Sequence, residues 1–138
     1  MSGLVLDCSV AVSWCFEDEA TPETDAILER VRDEGAIVPA LWHLELGNVL
    51  IQAERRGRLA AADTTQRLEL ISALPISADD DSPDRALRVV LTLARAQGLT
   101  TYDAAYLELA MRKGLPLASK DKALLEAAER CGVARLPD

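Results

Sequence analysis

No stretch of this chain approaches the roughly 20 apolar residues that a bilayer-spanning helix needs, and Met1-Ser2-Gly3-Leu4 lacks the basic start of a secretory signal. The expectation is a cytoplasmic protein with no membrane contact. Histidine is nearly missing: His43 stands alone, and Cys8, Cys15 and Cys131 are odd in number and lack paired ligand spacing. A zinc site of the common histidine or cysteine kinds finds no ligand set here. Cys8 and Cys15 read instead as small buried hydrophobes on one helix. Positive charge is short as well, since 15 Lys and Arg against 23 Asp and Glu leave a net charge of -8. That disfavours a general nucleic-acid coat protein, which would carry a basic face. It does not disfavour a nuclease, because an acidic site that holds Mg²⁺ or Mn²⁺ reverses the local sign where phosphate must approach. Low-complexity tracts, internal repeats and linkers are also lacking, so 138 residues with 49% apolar content predict one domain over 1–138 with a real core.

What is present is an alternation of short apolar runs and helical patterns. Gly3 to Leu6 is continuously apolar, as a strand buried on both faces would be. A helix follows from about Ser9. Thr21 and Pro22 form an N-cap and first helical position, with Ile27, Leu28 and Val31 as the apolar stripe and Gly35 as the stop. Ile37-Val38-Pro39 predicts the second strand. A third helix carries Leu41, Leu44, Leu46, Val49 and Leu50 on its apolar side and ends near Gly57; a fourth runs from about Ala60 to Ala73. Pro75-Ile76-Ser77 is a third strand, helices follow over 83–96 and 101–112, and a strand over 117–119 leads to a helix over 121–130 and a last strand near 133–136. Strands alternating with helices predict an α/β fold with a parallel sheet covered on both faces.

Acidic residues recur where strands hand over to helices: Asp7, Glu45, Asp103 and Asp121. In open parallel sheets the crevice at the carboxyl ends of the strands is the ligand-binding place, so acids distant in sequence can converge there, and hard divalent ions take oxygen ligands. Each acid also has a plainer reading. Asp7 with Ser9 is a common helix entrance, where the hydroxyl caps the helix or orients a metal-bound water. Glu45 interrupts the apolar side of the third helix and there needs a cation or a proton, with Asn48 as hydrogen-bonding support one turn on; otherwise it is a solvated rim glutamate. Asp103 complements a helix dipole beside the core-facing Tyr102, Ala105, Tyr106 and Leu109. Ser119-Lys120-Asp121 brings hydroxyl, ammonium and carboxylate to one strand end. The run Asp79-Asp80-Asp81 before Ser82-Pro83 is better explained by dipole complementation than by metal. Basic clusters at Arg55-Arg56-Gly57-Arg58, Arg112-Lys113 and Lys120/Lys122 are candidate phosphate contacts or solvated helix ends.

With these residues in place, the chain resembles PIN-domain ribonucleases, and among them the VapC-type toxins of bacterial toxin-antitoxin pairs. The resemblance spans essentially the whole chain: Val5-Leu6-Asp7-Cys8-Ser9-Val10-Ala11-Val12 with Trp14, Glu45-Leu46-Gly47-Asn48-Val49-Leu50, Thr101-Tyr102-Asp103-Ala104-Ala105-Tyr106-Leu107-Glu108-Leu109-Ala110, and Leu117-Ala118-Ser119-Lys120-Asp121. It implies a three-layer α/β/α domain with strand order 3-2-1-4-5, and Mg²⁺- or Mn²⁺-dependent endonuclease action on RNA. Asp7, Glu45, Asp103 and Asp121 would be the catalytic and metal-holding acids, with Ser9 and Ser119 as supporting hydroxyls; the family usually has threonine where Ser119 stands. It also implies a homodimer, and a cognate antitoxin whose arginine enters the acidic pocket. Trp14 and Trp42 are candidates either for an interface or for the core.

Two other classes compete. A catalytically silent PIN-like module would bind RNA or an antitoxin without cleaving. A phosphoacceptor receiver domain would need an acidic pair after the first strand and an aspartate after the third, whereas Asp7 stands alone and Pro75-Ile76-Ser77 ends without an acid.

Overall fold

A computed structural model describes residues 3–80 and 82–138. Five parallel strands form one sheet in the order β3-β2-β1-β4-β5, with β1 (Leu4–Leu6) at its centre. Its neighbours are β2 (Ala36–Val38), paired Leu4 to Ala36, and β4 (Leu117–Ala118), paired Val5 to Leu117. β3 (Ile76–Ala78) and β5 (Arg135–Leu136) are the edges. The centre is the driest part: Leu4, Val5, Leu6 and Leu117 are fully buried, as their unbroken apolar runs require of strands covered on both faces. The predicted α/β class and strand order are what the structure has.

Among the described residues, eight helices fill the connections: α1 (Cys8–Cys15), α2 (Pro22–Glu34), α3 (Leu41–Arg55), α4 (Ala61–Ser72), α5 (Pro83–Arg85), α6 (Leu91–Gln97), α7 (Thr101–Lys113) and α8 (Lys122–Arg130). A π-helical stretch over Ala86–Val90 joins α5 to α6. Local chemistry sets the boundaries. Thr21 and Thr24 close a capping box ahead of Pro22, and Gly35 ends α2 at φ 83°, where a Cβ would also lie 3.2 Å from the Pro75 carbonyl oxygen.

Packing corrects two expectations. The buried stripe of α3 is Trp42, Leu46, Leu50 and Ala53, whereas Leu44 is 80% exposed. Trp42 is therefore core, while Trp14 is half-buried in a groove with Leu28, Leu70 and Leu74, its indole N–H donating to the Thr24 carbonyl at 2.9 Å. Cys8 and Cys15 are buried as expected, and burial pushes the Cys8 thiol up to about 12. Among the described residues, no helix is long and apolar enough to cross a membrane.

A parallel sheet has all its strand ends on one edge. Here that edge carries Asp7 after β1, Pro39 after β2, Asp79 after β3 and Ser119 after β4.

Candidate functional site

Asp7 occupies the N-cap position of α1 but makes no capping hydrogen bond with its side chain. The plain helix-entrance reading therefore fails at this residue. Its Oδ2 instead accepts from two hydroxyls, Ser9 Oγ at 2.7 Å and Ser119 Oγ at 2.7 Å. Each hydroxyl is oriented in turn by a backbone amide, Lys120 N–H on Ser9 Oγ and Asp121 N–H on Ser119 Oγ, both at 2.9 Å. Ser9 thus neither caps the helix nor stands free to meet water; both hydroxyl protons are committed to one carboxylate oxygen. Burial raises the Asp7 pKa above its ordinary value, partly offset by the Ser119 and Ser9 hydrogen bonds and reinforced by Asp121.

Glu45 sits half-buried on the flank of α3. Its Oε1 accepts a hydrogen bond from the hydroxyl of Tyr106, which is fully buried on α7. Asn48 is exposed, and no hydrogen bond joins it to Glu45 among the described residues. The expected amide support is replaced by a phenol 61 residues away in sequence. The sequence marks Tyr106 only as core-facing. The sequence signal was a hydroxyl-bearing aromatic at a core-facing position one turn after Asp103.

Asp103 lies in the first turn of α7, whose N-cap is Thr100. Helix-dipole complementation would keep this carboxylate acidic, yet its pKa is raised to about 6 by burial and by Asp121 and Asp7. Asp121 does cap its helix, accepting from Leu124 N–H at 3.2 Å through Oδ1. Burial also raises the Glu45 pKa, softened by the Tyr106 hydrogen bond and reinforced by Asp7 and Asp103. Charge thus links these acids in part: Asp7 feels Asp121, Glu45 feels Asp7 and Asp103, and Asp103 feels Asp121 and Asp7. Among the described residues, however, no three His, Cys, Asp or Glu side chains are placed to hold one ion together. The donor chemistry still fits a hard cation of the Mg²⁺ kind, which retains several waters and is bound through one or two carboxylates.

The candidate phosphate contacts divide. Lys122 is exposed in the first turn of α8 beside Asp121. Lys120 turns its ammonium onto the buried Ser13 hydroxyl at 2.9 Å, tying the β4–α8 loop to α1. Arg112 and Lys113 end α7, and nine residues of helix put Arg112 about 13 Å from Asp103 along the axis. The Arg112 guanidinium is committed to Glu108 at 2.8 Å and Asp79 at 2.6 Å, while Lys113 lines a cleft with Gly3 and Leu115 at the opposite sheet edge.

Asp79 corrects two readings at once. β3 runs one residue further than expected and is followed by this acid, whose partners are Arg112 and, at 3.8 Å, Arg85, rather than a helix dipole. Asp81 falls outside the described residues. An acid after the third strand does not revive the receiver class, because the receiver order is 2-1-3-4-5 and this sheet is 3-2-1-4-5.

Comparison with known proteins agrees with this geometry. The PIN domain profile matches residues 4–130. Exonuclease VapC9 of Pyrobaculum aerophilum is 35% identical over 89 residues, an alignment covering 62% of this chain and 64% of that protein. The matched segment thus spans somewhat less than two thirds of that relative. Ribonuclease VapC3 of the same organism is 27% identical over 123 residues, covering 89% of this chain and 92% of that protein. Among solved structures, PAE2754 from Pyrobaculum aerophilum superposes with a TM-score of 0.73 at 25% identity, covering 98% of this chain and 89% of that one. The chain belongs to the PIN-domain family, and within it resembles VapC proteins.

Proposed function

We propose that this protein is a Mg²⁺- or Mn²⁺-dependent endoribonuclease and the toxin of a toxin-antitoxin pair. The observation that carries the reading is the Asp7 carboxylate, buried at the central strand end, unused as a cap, and held by Ser9 and Ser119 among three further acids. Nuclease function is also what the names of the two VapC relatives suggest. The relatives differ in the mode they are named for, one an exonuclease and the other a ribonuclease.

In this reading a divalent ion would be held at the edge that Asp7, Glu45, Asp103 and Asp121 share, through one or two of these carboxylates and through water for the rest. When bound, the ion supplies a water of lowered pKa and neutralises charge on the phosphodiester. The chain's own residues do the rest. Ser9 and Ser119 fix the Asp7 oxygen. Burial and the charges of Asp121 and Asp7 raise the Asp103 pKa to about 6 without metal, so binding of the cation would release its proton. Lys122, exposed beside Asp121, would meet a flanking phosphate, with the ammonium of Lys120 on Ser13. The same acids offer an antitoxin arginine a charge-assisted site, which would exclude the ion. A homodimer in the cytoplasm belongs to the same proposal.

Replacing Asp7 with Asn tests it. A folded Asp7→Asn protein, checked by circular dichroism, is expected to lose divalent-dependent cleavage of cellular RNA by 100-fold or more, on the order of removing one central electrostatic group. Undiminished cleavage by that variant would remove Asp7 from the mechanism. Failure of the parent protein to cleave diverse RNAs would leave the silent binding module as the better description.

A further inference from the structure

Tyr106 is the second largest fully buried side chain of the protein, and a buried phenol needs a hydrogen-bond partner. Its partner is Glu45 Oε1 across the α3–α7 contact. No ion pair to Glu45 exists among the described residues, so this hydroxyl is what fixes the carboxylate on an otherwise open helix flank. The arrangement repeats that at Asp7. There two hydroxyls take Oδ2, with the Cys8 backbone N–H also bonding the carboxylate; here one hydroxyl takes Oε1. Each of the two carboxylates is thus fixed through one oxygen by a protein hydroxyl. Such outer partners orient metal ligands, and losing one typically costs about 10–100-fold in metal affinity or activity.

We propose that Tyr106 is a positioning residue that holds Glu45 for a divalent cation. This rests on the metal-dependent reading of the site, and it adds a residue that meets neither the ion nor the RNA. The ring of Tyr106 packs in the core, so Tyr106→Phe removes the hydroxyl and keeps the packing.

The test is Mn²⁺ titration by calorimetry, without RNA, on the parent, Tyr106→Phe, Glu45→Gln and the double variant. Tyr106→Phe is expected to weaken Mn²⁺ binding about 10-fold or more. The same substitution made in Glu45→Gln should add less than about twofold, because a residue acting through Glu45 has nothing left to act on. In cleavage assays the Mg²⁺ concentration for half-activation should rise while the rate at saturating Mg²⁺ stays close to that of the parent. Equal Mn²⁺ affinity in parent and Tyr106→Phe overturns the positioning role alone; a parent that binds no Mn²⁺ overturns the metal reading with it. Should Tyr106→Phe not fold, 3-fluorotyrosine labelling serves, since the chain has two tyrosines and Tyr102→Phe assigns the signals. Saturating Mg²⁺ is expected to shift the Tyr106 fluorine resonance, and a resonance that does not move overturns the proposal.

Discussion

At the scale of single residues, the site is organised by hydroxyls more than by charges. Ser119 is fully buried and serves two partners, donating to Asp7 Oδ2 and accepting from Asp121 N–H. Ser119→Ala would leave the amide without its acceptor and the carboxylate with one donor fewer. The expected loss is about 1–3 kcal/mol in denaturant unfolding. A loss under a few tenths of a kcal/mol would mean that water replaces the hydroxyl freely. Asp103 gives a prediction in pH. Its folded pKa of about 6 exceeds the ordinary 3.8, so the folded state holds this proton more tightly than the unfolded chain does. That contribution to stability is complete below pH 3.8 and is lost as pH rises to about 6. In metal-free protein, Asp103→Asn should therefore remove part of the fall in unfolding midpoint across this window. Parallel pH profiles for parent and variant would contradict the assignment. Sequence alone gave the acids and the Asp-x-Ser pairing, because strand ends and helix starts are local signals. Tyr106 escaped it, since its meaning depends on a contact spanning 61 residues.

At the scale of elements, helix phase decides which side chains can reach the site. The apolar stripe of α3 includes one residue of the other face: Leu44 is exposed, whereas Leu41 and Val49 are half-buried against the core. Burial selects 42, 46, 50 and 53, and this phase turns Glu45 to the flank, where it meets α7. The plain composition of the helix could not separate these faces, because Leu occurs on both. Substitutions distinguish them. Leu50→Ala opens a cavity at a position 1% exposed and should cost about 2–5 kcal/mol, whereas Leu44→Ser should change the stability of the monomer by less than about 0.5 kcal/mol. Comparable losses at both positions would refute this phase. The end of α7 shows the complementary lesson. Arg112 looked like a free cation because its partners, Glu108 one turn back and Asp79 beyond a different strand, become visible only when the elements are packed. Clamping Asp79 to α7 in this way fixes the loop after β3 rather than preparing a phosphate site.

For the whole molecule, topology converts scattered acids into neighbours. Continuous apolar runs at 4–6 and 117–118 make parallel central strands, parallel strands share one carboxyl edge, and that edge collects Asp7 and Ser119 directly, with Asp121 two residues on. Asp103 arrives from the first turn of α7 and Glu45 from α3, and the neighbouring carboxylates help raise the pKa values of Asp7, Glu45 and Asp103. This much of the design was legible from the order of strands and helices, since each step rests on short-range pattern. What was not legible is how each carboxylate is held, which is a matter of long-range packing. On the proposed function the net charge of -8 also finds its place, because an anionic protein acting on RNA would need cations at the point of contact. The most direct measurement is incubation of the purified protein with a circular single-stranded RNA in Mg²⁺, in chelator, and with Asp7→Asn in Mg²⁺. The account predicts linear products from the parent in Mg²⁺ alone. Intact circles under all three conditions, or equal cleavage in chelator, would contradict it.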